Sequence, residues 1–267
     1  MTTVTLLWSL GNSAVFPAFS PAMLRLLAIA IVAATSAAPA PSVPTGPVRT
    51  IIERGIVAQG GEQQLEKLAK PWRAKIKGKA RMLEITGELL QNSPTQSKIT
   101  TVLQAGPLST EVVVITNGHK TWRRIAGFTK EVTGKELDEM NDGKYRHHVR
   151  NLLPLLREPA IETSLLADTS VAGQPATGIR VKSKGHRDID LYFDRSTGLV
   201  VKTESRIEAP DKPPIVLEQI LSNYRDFDGL KLPTKFTKFE NGRETSVEEY
   251  VDFKFVDRID DREFEKP

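Results

Sequence analysis

The sequence predicts an α+β protein that is mainly β, and two observations lead to this class. Apolar and charged residues alternate over runs within residues 72–257, as expected for antiparallel strands with one buried and one solvated face. Turn pairs such as Asn117 and Gly118 separate these runs and favour tight hairpins. Two stretches, 51–68 and 133–157, carry apolar residues at helical spacing instead. We therefore expect a chain of strands that is opened and interrupted by helices.

The N-terminal segment has the order of a secretory signal. Arg25 is followed by the apolar run 26–34 and then by small residues up to position 38. This run is too short to cross a bilayer, which takes roughly 20 apolar residues. We predict a cleaved signal peptide at 23–38, interpret residues 1–22 as an over-called leader, and expect a periplasmic protein.

A Pro-rich stretch at 39–49 is predicted to be a spacer ahead of a single domain at 50–267. The domain is predicted to open with a helix that ends at Gly60 and Gly61. A second, short helical turn follows and stops before Pro71.

The predicted strands begin at Trp72. In "AKIKGKARM" the residues Ile76 and Gly78 share one face with Met82, while lysines occupy the other face. Further strands are predicted at 97–104, 110–116, 120–125, 161–171, 177–184, 188–194, 199–208, 215–225, 231–240 and 244–257. Between them, residues 133–157 are predicted to form two helices divided at 141–143, where Gly143 follows Asn and Asp.

Asp194, in "LYFDRSTGLVVKTES", is the carboxylate that most resembles a catalytic group. It stands at the end of an alternating run and four residues before Gly198. An Asp at the start of a turn accepts backbone N–H bonds, and a Gly near the end supplies a positive φ. We interpret Asp194 as a turn residue.

Composition and motif spacing exclude several function classes. The 267-residue chain has 37 basic and 33 acidic residues with no block of like charges, so nucleic acid is not an expected partner. It has no cysteine, which removes thiol catalysis and thiolate metal sites. The spacings of nucleophile elbows, phosphate-binding loops, dinucleotide-binding turns and zinc proteases are absent. We expect a protein that is not an enzyme and that uses no cofactor.

The four histidines do not form a metal-binding pattern. His147 and His148 are adjacent, so their side chains would point about 100° apart on a helix and could not easily share an ion. His119 and His186 lie in predicted turns. We therefore expect no catalytic residue and no metal ligand.

Large apolar residues on the predicted strand faces are the remaining candidates for a binding surface. They form a core by default, and they line a ligand cavity if the sheet curls and its helices leave the concavity open. The candidates are Met82, Leu103, Val114, Trp122, Leu191, Phe193, Val201, Leu221, Val251 and Phe253.

Four segments together resemble the LolA/LolB-like outer-membrane lipoprotein-sorting (lipoprotein carrier) superfamily. They are "AQGGEQQLEKL" (58–68), "LYFDRSTGLVVKTE" (191–204), "YRDFDGLKLPTKF" (224–236) and "VDFKFVDRIDDREFEKP" (251–267). The resemblance implies an open, curved antiparallel sheet, an incomplete barrel, with helices over its concave face and a cavity that holds acyl chains. It also implies a lid formed by 133–157, for which the position of Gly143 suggests a hinge.

Two functions follow as hypotheses. The first is a periplasmic carrier that holds a lipid or the acyl chains of a lipoprotein without catalysis, as a monomer in transient contact with membrane proteins of the envelope. The alternative is an envelope regulatory protein, like the RseB-type sensors of this fold, which binds a protein partner.

Overall fold

A computed structural model describes residues 44–209 and 212–267. The predicted leader, the predicted signal peptide and the start of the predicted spacer lie outside the described residues. The described chain forms one large sheet and a small number of helices.

The helices occupy three places along the described chain. Their bounds are α1 Gly46–Ala58, α2 Glu62–Glu66, α3 Gly134–Arg150 and α4 Leu153–Arg157, with 3₁₀ turns at Lys67–Ala69 and Asp261–Phe264. Helix α1 begins inside the predicted spacer because Pro47 stands at its first turn, where a missing N–H costs nothing, and because Val48 is already buried. None of the described helices has both the length and the apolar character to cross a bilayer.

Fourteen strands make up the sheet. Their bounds are β1 Trp72–Ala80, β2 Leu83–Ser93, β3 Gln96–Ala105, β4 Leu108–Asn117, β5 Lys120–Ile125, β6 Phe128–Glu131, β7 Ile161–Leu165, β8 Thr169–Val171, β9 Gln174–Ser183, β10 Ile189–Asp194, β11 Val200–Ala209, β12 Lys212–Phe227, β13 Leu230–Glu240 and β14 Arg243–Phe255.

The sheet is a meander in two halves that meet at the pair β1–β14. The strand order is β6-β5-β4-β3-β2-β1-β14-β13-β12-β11-β10-β9-β7, with β8 paired to β9, and the neighbouring strands are antiparallel. The path ends at β6 on one side and β7 on the other, so the sheet stays open. This confirms the predicted class, an open curved antiparallel sheet with helices on its concave face.

The main core lies between the helices and the face of the sheet that they cover, which we call the inner face. The helices contribute Val48, Ile52, Ile56, Leu65, Val149 and Leu155, and the strands contribute Ile179, Leu191, Phe193, Leu221, Phe236 and Phe253. Burying side chains of this size contributes about 1.5–3 kcal/mol each, so this layer holds the helices in place.

A second, smaller core lies on the opposite, outer face. The C-terminal segment crosses β2–β5 there and packs Ile259 and Phe264 on Val113 and Ile115. A salt bridge of 2.5 Å between Lys98 Nζ and Glu263 Oε2 supports the contact. The last residues of the chain therefore cover apolar positions of the first half of the sheet.

Two strands were missed by the prediction, for local reasons. In β2 both Leu89 and Leu90 are apolar, because Leu89 packs against the main core and Leu90 against the smaller outer core, and this pair hides the period of two. Strand β6 has only four residues and begins with Phe128, which is 84% exposed. The predicted strand 161–171 is divided into β7 and β8.

The predicted division of the helical insert at 141–143 is wrong. Helix α3 runs unbroken through Gly143, which has ordinary helical φ and open space around it. The break lies at Leu152, whose φ of +70° and ψ of −33° lie outside the helical region, so the helix cannot continue through it. Pro154 then starts α4, because its ring cannot continue α3.

Asp194 turns the chain, as predicted. Its Oδ1 atom accepts hydrogen bonds from the backbone N–H groups of Ser196 (3.0 Å) and Thr197 (2.7 Å) and from both hydroxyls. These donors, led by the hydroxyl of Ser196, lower the pKa of the Asp194 carboxyl. Gly198 closes the turn at φ +79°.

Replacing Gly143 by Ala tests whether α3 is continuous. We expect Gly143→Ala to stabilise the protein by about 0.5–1 kcal/mol, because Ala loses less backbone entropy inside a helix and meets no neighbour here. Urea unfolding gives the free energy. Gly60→Ala is the contrasting variant: its Cβ would lie 2.0 Å from the carbonyl oxygen of Gly229 at φ +113°, so we expect a loss of about 2 kcal/mol or more. A destabilised Gly143→Ala protein would contradict a continuous helix.

Candidate functional site

The inner face of the sheet and its helix cover form the candidate site. Four of the residues named from the sequence, Leu191, Phe193, Leu221 and Phe253, are buried in this layer. Leu103 and Val114 are half-buried, and the strand register places them on the same face in β3 and β4.

The other four named residues do not line the inner face. Met82 lies in the β1–β2 turn and is 90% exposed, while Trp122 packs in the small core on the outer face. Val201 and Val251 each sit at a β-bulge, where one strand carries an extra residue and the alternation changes phase. Val200 therefore takes the buried position beside Val201, and Tyr250 packs against the main core while Val251 is 44% exposed.

One end of the helix cover is closed tightly on the sheet. A Cβ atom added to Gly55 of α1 would lie 2.8 Å from Leu152 Cδ1 and 2.8 Å from Phe193 Cε1. Arg54 fixes the same helix by donating hydrogen bonds to the carbonyl oxygens of Arg195 (2.7 Å) and Ser196 (3.0 Å). No space for a ligand is left where Leu191 and Phe193 lie.

A small cavity remains beside the C-terminal half of α3, and we call it the α3 cavity. Its volume of about 30 Å³ is room for about two water molecules. Its apolar wall comes from the turn after α2 and from β1, β13 and β14, through Leu68, Trp72, Phe236, Tyr250 and Phe253. Its polar lining is Gln59, His147, Arg150 and Asn151.

His147 is neutral in this setting. Its pKa is lowered to about 3, mainly because burial disfavours the charged ring, with smaller contributions from the charge of Arg150 and from His148. The other histidines lie apart from the α3 cavity. His148 Nε2 is 2.7 Å from Glu158 Oε1, and the His186 ring stacks on Tyr145 at 3.8 Å.

Arg150 is the charged group of the α3 cavity. Its guanidinium carbon lies 5.3 Å from the centre of the Phe236 ring, and Nη1 donates to Gln219 Oε1 at 3.5 Å. Burial lowers the pKa of Arg150. Arg150 was not predicted from the sequence, although it stands three positions after His147, and this spacing places both side chains on one face of α3.

Two clusters of charged residues on the outer face are paired internally. Arg180 makes two bonds of 2.7 Å to the buried Asp190, and Lys202 bridges Glu204 (2.9 Å) and Glu218 (2.6 Å). Within these two clusters the charges satisfy one another. Throughout residues 44–209 and 212–267, no group of three or more His, Asp or Glu side chains is placed to hold a metal ion.

The lowered pKa of His147 predicts a pH effect on stability. In the unfolded chain the ring takes up a proton near pH 6.5, whereas the folded protein resists this until about pH 3. The stabilising effect is therefore complete above pH 6.5 and is lost as the pH falls. Between pH 7.5 and 4.5 we expect the wild type to lose about 2 kcal/mol more than His147→Gln in urea unfolding. His119→Gln, in an exposed turn, should follow the wild type, and equal losses in all three proteins would contradict a buried neutral ring.

Comparisons with known proteins bear on the fold. A scan of family models gives no match, and a search of curated proteins finds none. Solved structures do match over most of the chain. An outer membrane lipoprotein-sorting protein domain from Vibrio parahaemolyticus has 11% identity and a TM-score of 0.51, covering 80% of this chain and 97% of its own.

Two further structures agree with this match. The LolA superfamily protein NE2245 from Nitrosomonas europaea has 13% identity and a TM-score of 0.50, covering 82% of this chain and 97% of its own. A DUF1329 family protein from Desulfovibrio piger has 12% identity and a TM-score of 0.55, covering 83% of this chain and 98% of its own. These likenesses confirm, at the level of the fold, the resemblance seen in the sequence: the chain has the fold of LolA superfamily proteins.

Proposed function

We propose that the protein is a periplasmic carrier or binding protein that holds a lipid, or the acyl chains of a lipoprotein, between its sheet and its helices without catalysis. The observation that carries this proposal is the apolar layer on the inner face, which in the described chain is covered by helices. Moving helices away from such a layer creates a cavity, and each CH₂ group that enters it contributes about 0.8 kcal/mol.

Binding of an acyl chain requires part of the helix cover to move. About 30 Å³ is too small for an acyl chain, so the chain enters only when part of the helix cover moves. Helix α1 is bonded to the β10–β11 turn by Arg54, whereas α3 and α4 are joined at Leu152, where the backbone leaves the helical conformation. Helix α4 is held to α2 by the salt bridges of Arg157 with Glu62 and Glu66. We therefore assign the moving part to α3, with the hinge at Leu152 in place of Gly143.

The location and the partners belong to the same proposal. The signal-like order of residues 23–38 supports export, and a monomeric carrier of lipid or acylated lipoprotein would make only transient contacts with envelope proteins. Two of the similar structures carry LolA or lipoprotein-sorting descriptions, which supports an acylated ligand.

A polar change in the cavity wall tests the proposal. Leu68 is half-buried in the wall of the α3 cavity, so we expect Leu68→Asp to weaken binding of a palmitoylated peptide at least tenfold, because an ionised carboxylate opposes burial of the acyl chain. Native mass spectrometry of the full chain, purified without detergent, measures the bound fraction.

The matched control is Leu108→Asp, at the exposed start of β4. It should bind as the wild type does, and thermal unfolding identifies any variant that has lost its fold. If the wild type binds neither the palmitoylated peptide nor any co-purifying lipid, the carrier function is wrong.

A further inference from the structure

The α3 cavity has the lining of a site for an anion. Among its described lining residues there are a guanidinium, an imidazole, an indole and two amides, and no acidic side chain. A pocket that combines hydrogen-bond donors with apolar rings can hold a charged head and leave an apolar tail against the rings.

Arg150 is half-buried and lacks the carboxylate partner that a guanidinium in such a place ordinarily has. In the described part of the chain it makes a weak bond of 3.5 Å to Gln219 and a ring contact with Phe236, and no ion pair. Arg157, only seven positions further on, contacts two carboxylates, at 2.7 Å and 2.8 Å. A charge that is partly removed from water and has no counter-charge is unfavourable, and an anion in the cavity would reduce that cost.

Two buried side chains in the cavity wall have a polar atom without a hydrogen-bond partner. Trp72 is 4% exposed and its Nε1 atom has no hydrogen-bond partner among the described residues. Gln59 is 3% exposed and its amide oxygen is also unpartnered. An indole N–H can only donate, and an amide can turn to donate or accept, so both groups can bind an anion.

We propose that the α3 cavity is the headgroup site for an amphiphile with a phosphate or carboxylate group, in which Arg150 pairs with the anion and the Trp72 indole N–H donates to it. The inference rests on the proposed function and specifies its ligand class. The apolar tail lies along Leu68 and Phe253, and α3 moves outward to admit a group larger than the present volume. Arg150 moves with α3, so the anion also fixes the helix in its bound position.

A set of ligands with one tail and different heads tests this proposal. Dodecyl phosphate, dodecanoate, monolauroylglycerol and dodecyltrimethylammonium are titrated below their micelle concentrations into the full chain by calorimetry. A charge-assisted hydrogen bond in a buried site corresponds to about tenfold to hundredfold in affinity. We expect both anionic ligands to bind at least tenfold more tightly than the neutral and the cationic ones, and their ratio shows whether phosphate or carboxylate is preferred.

Substitutions in the cavity wall test which side chains give the selectivity for anionic heads. Arg150→Met keeps the apolar stem and should bring the anionic ligands to the affinity of monolauroylglycerol, which itself should change little. Trp72→Phe keeps a ring and should weaken the anionic ligands severalfold. Arg124→Met, on the opposite side of the sheet where Arg124 pairs with Glu111, is the control and should leave all four affinities unchanged.

The outcomes separate this inference from the function on which it rests. If the wild type binds all four ligands with equal affinity, the headgroup site is wrong while the carrier function stands. If it binds none of them and no palmitoylated peptide, both are wrong. The wild-type ranking needs no variant, so it decides the question even if Arg150→Met fails to fold.

Discussion

The packing of the helices on the inner face is the interaction on which the other features depend. Gly55 lets α1 approach Phe193 and Leu152 so closely that no side chain would fit between them. This contact closes the half of the concavity beneath β10. It leaves the remaining space at the other end, next to α3. The position of the candidate site is thus a consequence of where the cover is tight and where it is not.

The α3 cavity lies where the two halves of the sheet meet. Its walls come from β1 and from β13 and β14, so both halves of the meander contribute to it across the pair β1–β14. The bulge at Val251 brings Tyr250 into this wall, and the C-terminal segment strengthens the first half from the outside. A sheet braced in this way can stay folded while a helix on its inner face moves.

The sequence predicted the fold class and most strands, because period-two alternation and turn residues are local signals. It failed where a tertiary contact overrides them. Leu89 and Leu90 serve two different cores, and Val201 and Val251 stand at bulges that a strict alternation cannot show. The site was only partly predictable. Phe253 was named from the sequence and lines the α3 cavity. Arg150 matters because no described carboxylate pairs with it, and that is visible only in three dimensions.

Native-state hydrogen exchange tests the central claim, that α3 opens while the sheet remains folded. We predict that amides of residues 145–150 exchange through an opening of lower free energy and weaker urea dependence than global unfolding, whereas amides of β9–β13 exchange only with global unfolding. A saturating concentration of the amphiphile should change the exchange rates of the amides in α3. If both groups exchange with the same free energy and the same urea dependence, α3 is a fixed part of the core and its proposed opening is wrong.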